Sequence, residues 1–257
     1  MSKAVAKKGE TNEIVAFDPS LFEQDAGLGM GDLSQDDMAI PFLKVLSRQD
    51  PTLDDLDDAK AGDILNTVSN QVYAGKGGIR VIPCAYQRRY IEWAPRGSGN
   101  GAPLNIYTPE DQRPRTERAD DNKDYVVTGN GSYIEETHQH YVLILNEDGT
   151  TTTAVIAMKS TQMKKSRKWN STIAQRTLMG KNGPFTPPRF SHVYLLRTVS
   201  EENSKGSWHG WDITLEGVVE DPSQYTQAKA FSESIQKGDV EAKHTSEGDD
   251  TSNDAPF

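Results

Sequence analysis

At 257 residues, 35% of them hydrophobic and with a mean hydropathy of −0.69, the chain can build one ordinary domain but cannot bury all of itself, so polar appendages are expected. No apolar run approaches the roughly 20 residues of a membrane-spanning helix, residues 1–10 lack the apolar stretch of a signal peptide, and the single cysteine, Cys84, excludes an internal disulfide and a multi-cysteine zinc site. The net charge of −10 speaks against a polyanionic partner only until its distribution is read: residues 10–63 carry fourteen acids against three bases, residues 198–257 thirteen against four, and residues 159–197 nine bases and no carboxylate.

Residues 1–39 mix Gly, Asp and Ser with scattered apolar positions and read as an acidic, mostly irregular segment. Residues 40–46 are a short apolar run, a strand or one helical turn, followed by an Asp-rich stretch. Ordered structure is expected from Ile64, where 64–73 and 79–93 are β-rich runs separated by Gly75-Lys76-Gly77-Gly78, a hairpin turn by composition. Residues 94–131, rich in Pro and Gly, read as a long loop excursion. Strands follow at 138–145 and 150–159 about the turn Asn146-Glu147-Asp148-Gly149. Next come a helix at 161–178 stopped by Gly180, strands at 192–199 and 208–219, and a C-terminal helix within 221–237. Residues 238–257 read as an acidic flexible tail. From Ile79 the order is strand, long loop, strand, strand, helix, strand, strand. This is the order of an OB fold, so residues 40–220 are expected to be mainly β with α, an OB-like five-stranded barrel with a helix between its third and fourth strands.

On the expected helix, Met163, Ala174 and Leu178 fall on one side, and Lys164, Lys165, Lys168 and Arg176 on the other with Trp169 at its edge; Arg167 falls outside the pattern. Evenly spaced phosphates call for cations in a row, and each one neutralised releases condensed counterions. Lys159, Lys181 and Arg189 extend the basic set, as do Arg80, Arg88 and Arg89 on the first barrel strand. Tyr86, Tyr90, Trp169 and Tyr194 are the candidate stacking residues, each base stacked being worth about 1–3 kcal/mol with little regard to sequence. Alternation puts Tyr86, Arg88 and Tyr90 on one strand face and Arg89 and Trp93 on the other. The cations of 159–197 are expected to converge on one concave surface, with Arg96, Arg113, Arg115 and Arg118 of the excursion suited to a flap over it.

The sequence ends Asp249-Asp250-Thr251-Ser252-Asn253-Asp254-Ala255-Pro256-Phe257. An aromatic ring carrying a carboxylate is a compact two-point ligand for an apolar pocket beside a cation. This ending resembles the C-terminal tip of bacterial single-stranded DNA-binding proteins and the acidic, Phe-terminated tail of short-tailed-phage counterparts. Pro256 and Phe257 match the bacterial tip, whereas Ala255 replaces its usual apolar residue and Thr251, Ser252 and Asn253 interrupt the acids. Together with the element order, it makes the chain similar to the bacteriophage single-stranded DNA-binding family. That resemblance implies a cytoplasmic protein of the infected bacterial host that binds single-stranded DNA in replication and recombination, without catalysis or cofactor. It further implies that Asp249, Asp250 and Asp254 compete with DNA, while Pro256 and Phe257 recruit a replication or recombination protein such as a polymerase or helicase. Edge strands of such a barrel also leave room for a homo-oligomer.

Weaker signals are set beside these. His138-Gln139-His140 places two imidazoles on one strand face, and without a third ligand in sequence a structural role is expected. The Gly-rich stretches at 27–31 and 97–101 lack a following helix and Lys-Ser/Thr, and read as loops. Asp239-Val240-Glu241-Ala242-Lys243 echoes a nuclease carboxylate pattern but lies in the expected tail. The alternatives are a phage structural or scaffolding protein whose basic block meets an acidic partner, and a metal-dependent nucleic-acid-processing enzyme built from Glu135, Glu136 and His138.

Overall fold

The computed structural model describes residues 20–31, 37–95, 97–98, 100–204 and 206–244 of a chain that divides into two units, 1–38 and 39–257. In the first, a short helix α1 (Ser20–Gln24) runs into turns that leave Leu28 and Met30 exposed. The second opens with β1 (Leu43–Val45), α2 (Thr52–Asp55), β2 (Ile64–Asn66) and β3 (Val72–Tyr73). It continues through β4 (Ile79–Trp93), β5 (Asn105–Tyr107), β6 (Thr116–Arg118), β7 (Asp124–Val126), β8 (Tyr133–Leu145), β9 (Thr151–Lys159) and α3 (Met163–Ala174). It closes with β10 (Leu178–Gly180), β11 (Gly183–Phe185), β12 (His192–Asn203), β13 (Gly206–Val218) and α4 (Pro222–Lys237).

The main sheet is antiparallel and curled, in the order β9-β8-β4-β12-β13. Its long strands alternate, so each serves two cores. Val81, Val142, Ile144, Ile156, Leu196 and Trp211 face one side, where Trp169 and Ile173 of α3 cover them. Ile82, Tyr141, Leu143, Val155 and Ala157 face the other, against Phe231 and Ile235 of α4. Each such side chain removed from water contributes about 1.5–3 kcal/mol, and this holds the two helices to opposite faces of one sheet. The Asp221 carboxylate caps α4 by accepting from the Ser223 N–H, and Gly238 ends it at φ 83°, in the left-handed region where glycine carries no Cβ penalty. Among the described residues no helix is long and apolar enough to cross a membrane.

The structure departs from the expected elements in four places. Residues 64–73 do not form a hairpin with β4; β2 pairs with β1 and β3 in a small separate sheet. That sheet is tied to β9 by the Val155 N–H donating to the Pro41 carbonyl (2.8 Å) and to β12 by the Thr198 N–H donating to the Gly75 carbonyl (2.9 Å). Gly75 is required at this junction, because a Cβ there would lie 1.9 Å from the Gly62 carbonyl oxygen and 2.2 Å from the Thr198 hydroxyl. The 94–131 excursion is not plain loop. It holds β5, β6 and β7, and the buried Glu92 carboxylate pins it by accepting from Asn105 (2.8 Å), Tyr107 (2.9 Å) and Ser132 (2.7 Å). Burial would raise the Glu92 carboxyl, but those three hydrogen bonds outweigh it and hold it below its ordinary range. The central helix stops at Ala174, and Leu178 belongs instead to the β10–β11 hairpin. Finally, residues 238–244 are not a free tail: Val240 and Ala242 pack against the second core and His244 is buried and bonded to Gln139.

Candidate nucleic-acid interface

Beyond the core, β4 and β8 continue as a ribbon whose first face carries Tyr86, Arg88 and Tyr90 opposite His140, His138 and Glu136. α3 seats itself against the start of this ribbon through Ser166, Trp169 and Ile173, three or four residues apart and therefore on one helix face. The Trp169 indole stacks on the His140 imidazole (centroids 4.6 Å apart, planes 19°) and meets Tyr194 edge-on at 5.7 Å. Tyr86 packs against both imidazoles, at 5.7 Å from His138 and 5.1 Å from His140.

Under these rings runs a continuous line of hydrogen bonds. Arg189 Nη2 donates to His140 Nδ1 (2.9 Å), which leaves His140 Nε2–H to donate to Ser166 Oγ (2.7 Å). The Ser166 hydroxyl then donates to His138 Nδ1 (2.8 Å), and His138 Nε2–H donates to Glu136 Oε1 (2.9 Å). Each group uses one donor and one acceptor, so the direction of the whole line follows from the guanidinium at one end, which can only donate, and the carboxylate at the other, which accepts. Burial first, then the charge of Arg189, push His140 well below its ordinary value, consistent with a neutral ring. Arg189 also donates to Asn170 Oδ1 (2.9 Å), and burial brings its guanidinium down to about 10.

At the surface the ribbon face becomes a strip of tyrosines and arginines. Tyr86 is half-buried; burial raises its phenol, opposed by the charges of Arg88, Arg189 and Arg167 nearby. The Arg189 guanidinium carbon lies 5.7 Å from the Tyr86 ring centroid. Four residues along, Tyr90 carries Arg113 of the excursion at 3.5 Å above its ring and Arg88 at 5.7 Å. Arg167 Nη2 sits 4.0 Å from Glu136 Oε1. Such a surface can stack planar groups and neutralise anions along one direction.

The broader convergence expected of residues 159–197 does not occur. The buried stripe of α3 is Ser166, Trp169 and Ile173 rather than Met163, Ala174 and Leu178, because the indole takes the place against the sheet. Trp169 and Tyr194, both 2% exposed, are core residues and cannot stack on a base. Lys164 and Lys168 are exposed on the side of α3 away from the sheet, whereas Lys165 turns to an ion pair with Glu201. Lys159 is buried on the second face, paired with Glu135 at 2.7 Å and lying 5.6 Å from the Trp93 ring. Arg89 is on that face too, donating to Gln87 Oε1 at 2.8 Å. Arg80 pairs with Glu216 at 2.6 Å, Lys181 is exposed beside the β10–β11 turn, and Arg176 lies near Tyr194, where its charge opposes the effect of burial on the phenol. Arg96 and the tail residues Asp249, Asp250, Asp254, Pro256 and Phe257 lie outside the described residues. Tyr86, Arg88, Tyr90, Arg167 and Arg189 are thus the expected site residues that the fold brings together.

Sequence reasoning missed Ser166, Asn170 and the role of Glu136; of the four arginines it assigned to a flap, Arg113 is the one that stacks on Tyr90. The His-x-His alternation was a usable signal, since two buried imidazoles need partners; the helix residue that supplies one had no mark of its own.

Fold and strip together define a mainly β protein, a curled antiparallel sheet with a few helices and a mixed cationic and aromatic face. The family model described as Pam3 phage gp34-like protein matches residues 10–241, and the chain belongs to that bacteriophage family. Neither the curated proteins nor the solved structures gave a match. The family supports the phage half of the resemblance drawn from the sequence and carries no statement about DNA.

Proposed function

We propose that this protein binds single-stranded DNA without strong sequence preference, through the Tyr86–Arg88–Tyr90 strip of an OB-like barrel. The barrel reading is supported by the sheet order β9-β8-β4-β12-β13, by α3 lying between β9 and β12 in the chain, and by the small β1–β2–β3 sheet, whose flanking residues Pro41 and Gly75 bond to β9 and β12. What carries the functional reading is the gathering of Arg88, Arg167 and Arg189, from three separate elements, about the half-buried ring of Tyr86, with Arg113 stacked on Tyr90. An arginine plane on a tyrosine still offers its outer face to a base, so the excursion would extend the stacking surface. Residues 245–257 would compete with DNA through their acids and recruit a replication or recombination protein through Phe257.

The enzyme alternative draws on Glu135, Glu136 and His138, yet Glu135 turns to Lys159 on the face opposite Glu136. The test is titration of a labelled single strand and its duplex at two salt concentrations with Mg²⁺ present. Preferential, salt-weakened binding of the intact single strand is the expected result. Binding that is absent at both salts would favour a scaffolding protein, and Mg²⁺-dependent loss of the strand an enzyme.

A further inference from the structure

Two arginines of the carboxylate-free stretch bear on the one phenol of Tyr194 and have only neutral partners. Arg176, just past α3, stands near enough to Tyr194 for its charge to draw the phenol down against the effect of burial. Arg189 lies 5.8 Å from the centroid of the Trp169 ring, and that ring meets Tyr194 edge-on. Among the described residues neither guanidinium pairs with a carboxylate; Arg189 has Asn170 and His140 as its partners. Taking a charge out of water costs several kcal/mol unless a counter-charge compensates. The end of α3 offers Arg176 at most about half a charge, and it offers Arg189 none.

A second observation points the same way. Three N–H donors of this cluster are shut off from solvent without an acceptor: Nε of Arg176, Nε of Arg189 and Nε1 of Trp169. Buried donors without acceptors are rare in native proteins, and here there are three on neighbouring side chains, two of them charged. A carboxylate or another protein group could have answered them, but the sequence supplies no acid between Lys159 and Arg197.

We propose that Arg176 and Arg189, meeting about Tyr194 beside Trp169, form a site for a phosphate group. Guanidinium forks present paired donors that match phosphate oxygens, and the indole N–H adds a donor with no charge of its own. Both arginines are half-buried residues, neither wholly in the core nor wholly at the surface. Arg189 also borders the Tyr86 strip, which would let a phosphate of a bound strand occupy the same place. The inference does not rest on the DNA reading, because a phosphate group alone is the ligand it names.

The experiment uses the full chain and inorganic phosphate, titrated at ionic strength held constant with sodium chloride and followed by thermal unfolding and by calorimetry. A saturable rise in Tm with one phosphate per chain is expected, weakened about tenfold or more in Arg176→Gln and in Arg189→Lys, as loss of a charge-assisted hydrogen bond implies. Arg189→Lys also disturbs Asn170 and His140, so Arg176→Gln is the cleaner variant. A Tm response no larger than that to chloride, or phosphate binding unchanged in Arg176→Gln, overturns the site. Oligonucleotides with and without a 5′-phosphate then separate the sources. Displacement of inorganic phosphate by the strand assigns the site to a nucleic-acid phosphate. A strand that binds without displacing it leaves the site to free phosphate and the DNA reading standing. Phosphate binding with no strand binding keeps the site and removes the DNA reading.

Discussion

Ser166 gives one hydroxyl to two imidazoles, and nothing else in the fold replaces it. It is fully buried, with His140 Nε2 at 2.7 Å and His138 Nδ1 at 2.8 Å. In Ser166→Ala both ring nitrogens lose their partner in a place closed to water, and each unsatisfied group costs about 1–3 kcal/mol. Ser166→Ala is therefore expected to lower unfolding free energy by about 2–5 kcal/mol in urea denaturation; a loss under about 1 kcal/mol would mean the line of bonds is not continuous in solution. The same substitution cuts the line at its middle, so the Arg189–His140 and His138–Glu136 pairs beside Tyr86 are no longer linked to each other. At this scale the sequence was half legible. His138 and His140 could be put on one face by counting residues along a strand, but pairing them with a serine on the following helix requires knowing how α3 turns, and that is decided by where the Trp169 indole fits.

At the scale of elements, some local signals hold, whereas those that depend on residues far along the chain do not. Asp148-Gly149 marks the β8–β9 hairpin, and Gly149 adopts φ 83°, as a tight turn between two strands demands. Gly75 to Gly78 looks the same in sequence, yet Gly75 serves a contact with residues far along the chain, Gly62 and Thr198. Gly75→Ala is accordingly expected to behave as an overpacked core substitution, costing about 1–3 kcal/mol and seen as a lower midpoint in urea; an unchanged midpoint would show that the small sheet does not press on β12. The helix shows the same division. Its cations were visible, but its buried stripe was misassigned: the helix leaves Lys164, Arg167 and Lys168 exposed, and of these Lys164 and Lys168 are the two that do not reach the ribbon. If those two meet phosphates, Lys164→Ala/Lys168→Ala should make the slope of log K against log salt shallower by about 1.4, at roughly 0.7 for each phosphate on a single strand. An unchanged slope would place DNA wholly on the ribbon.

Over the whole molecule, acids crowd the two ends of the chain and bases the middle, and the fold determines how far the last acids can travel. His244, the last described residue, is held to Gln139 and Phe42 on the face covered by α4, whereas the Tyr86 strip occupies the other. The thirteen residues 245–257 can span at most about 45 Å, enough to round a sheet edge and reach the strip from behind. A truncation that tests their role has to begin after His244, since removal of Val240 and Ala242 would also uncover the second core. Removing 245–257 takes away four carboxylate side chains, Glu247, Asp249, Asp250 and Asp254. Competition between these acids and phosphates is electrostatic, so it is strongest where screening is weak. The truncated chain should bind a single strand roughly threefold to tenfold more tightly at about 50 mM salt, the difference closing as salt approaches about 300 mM. Phe257→Ala in the full-length chain should leave that affinity alone while removing capture of a polymerase or helicase, because the ring contributes to an apolar pocket and not to the charge. Equal affinity of truncated and full chains at low salt would sink the competition; equal capture by Phe257→Ala would sink the recruitment, and each could fail without the other.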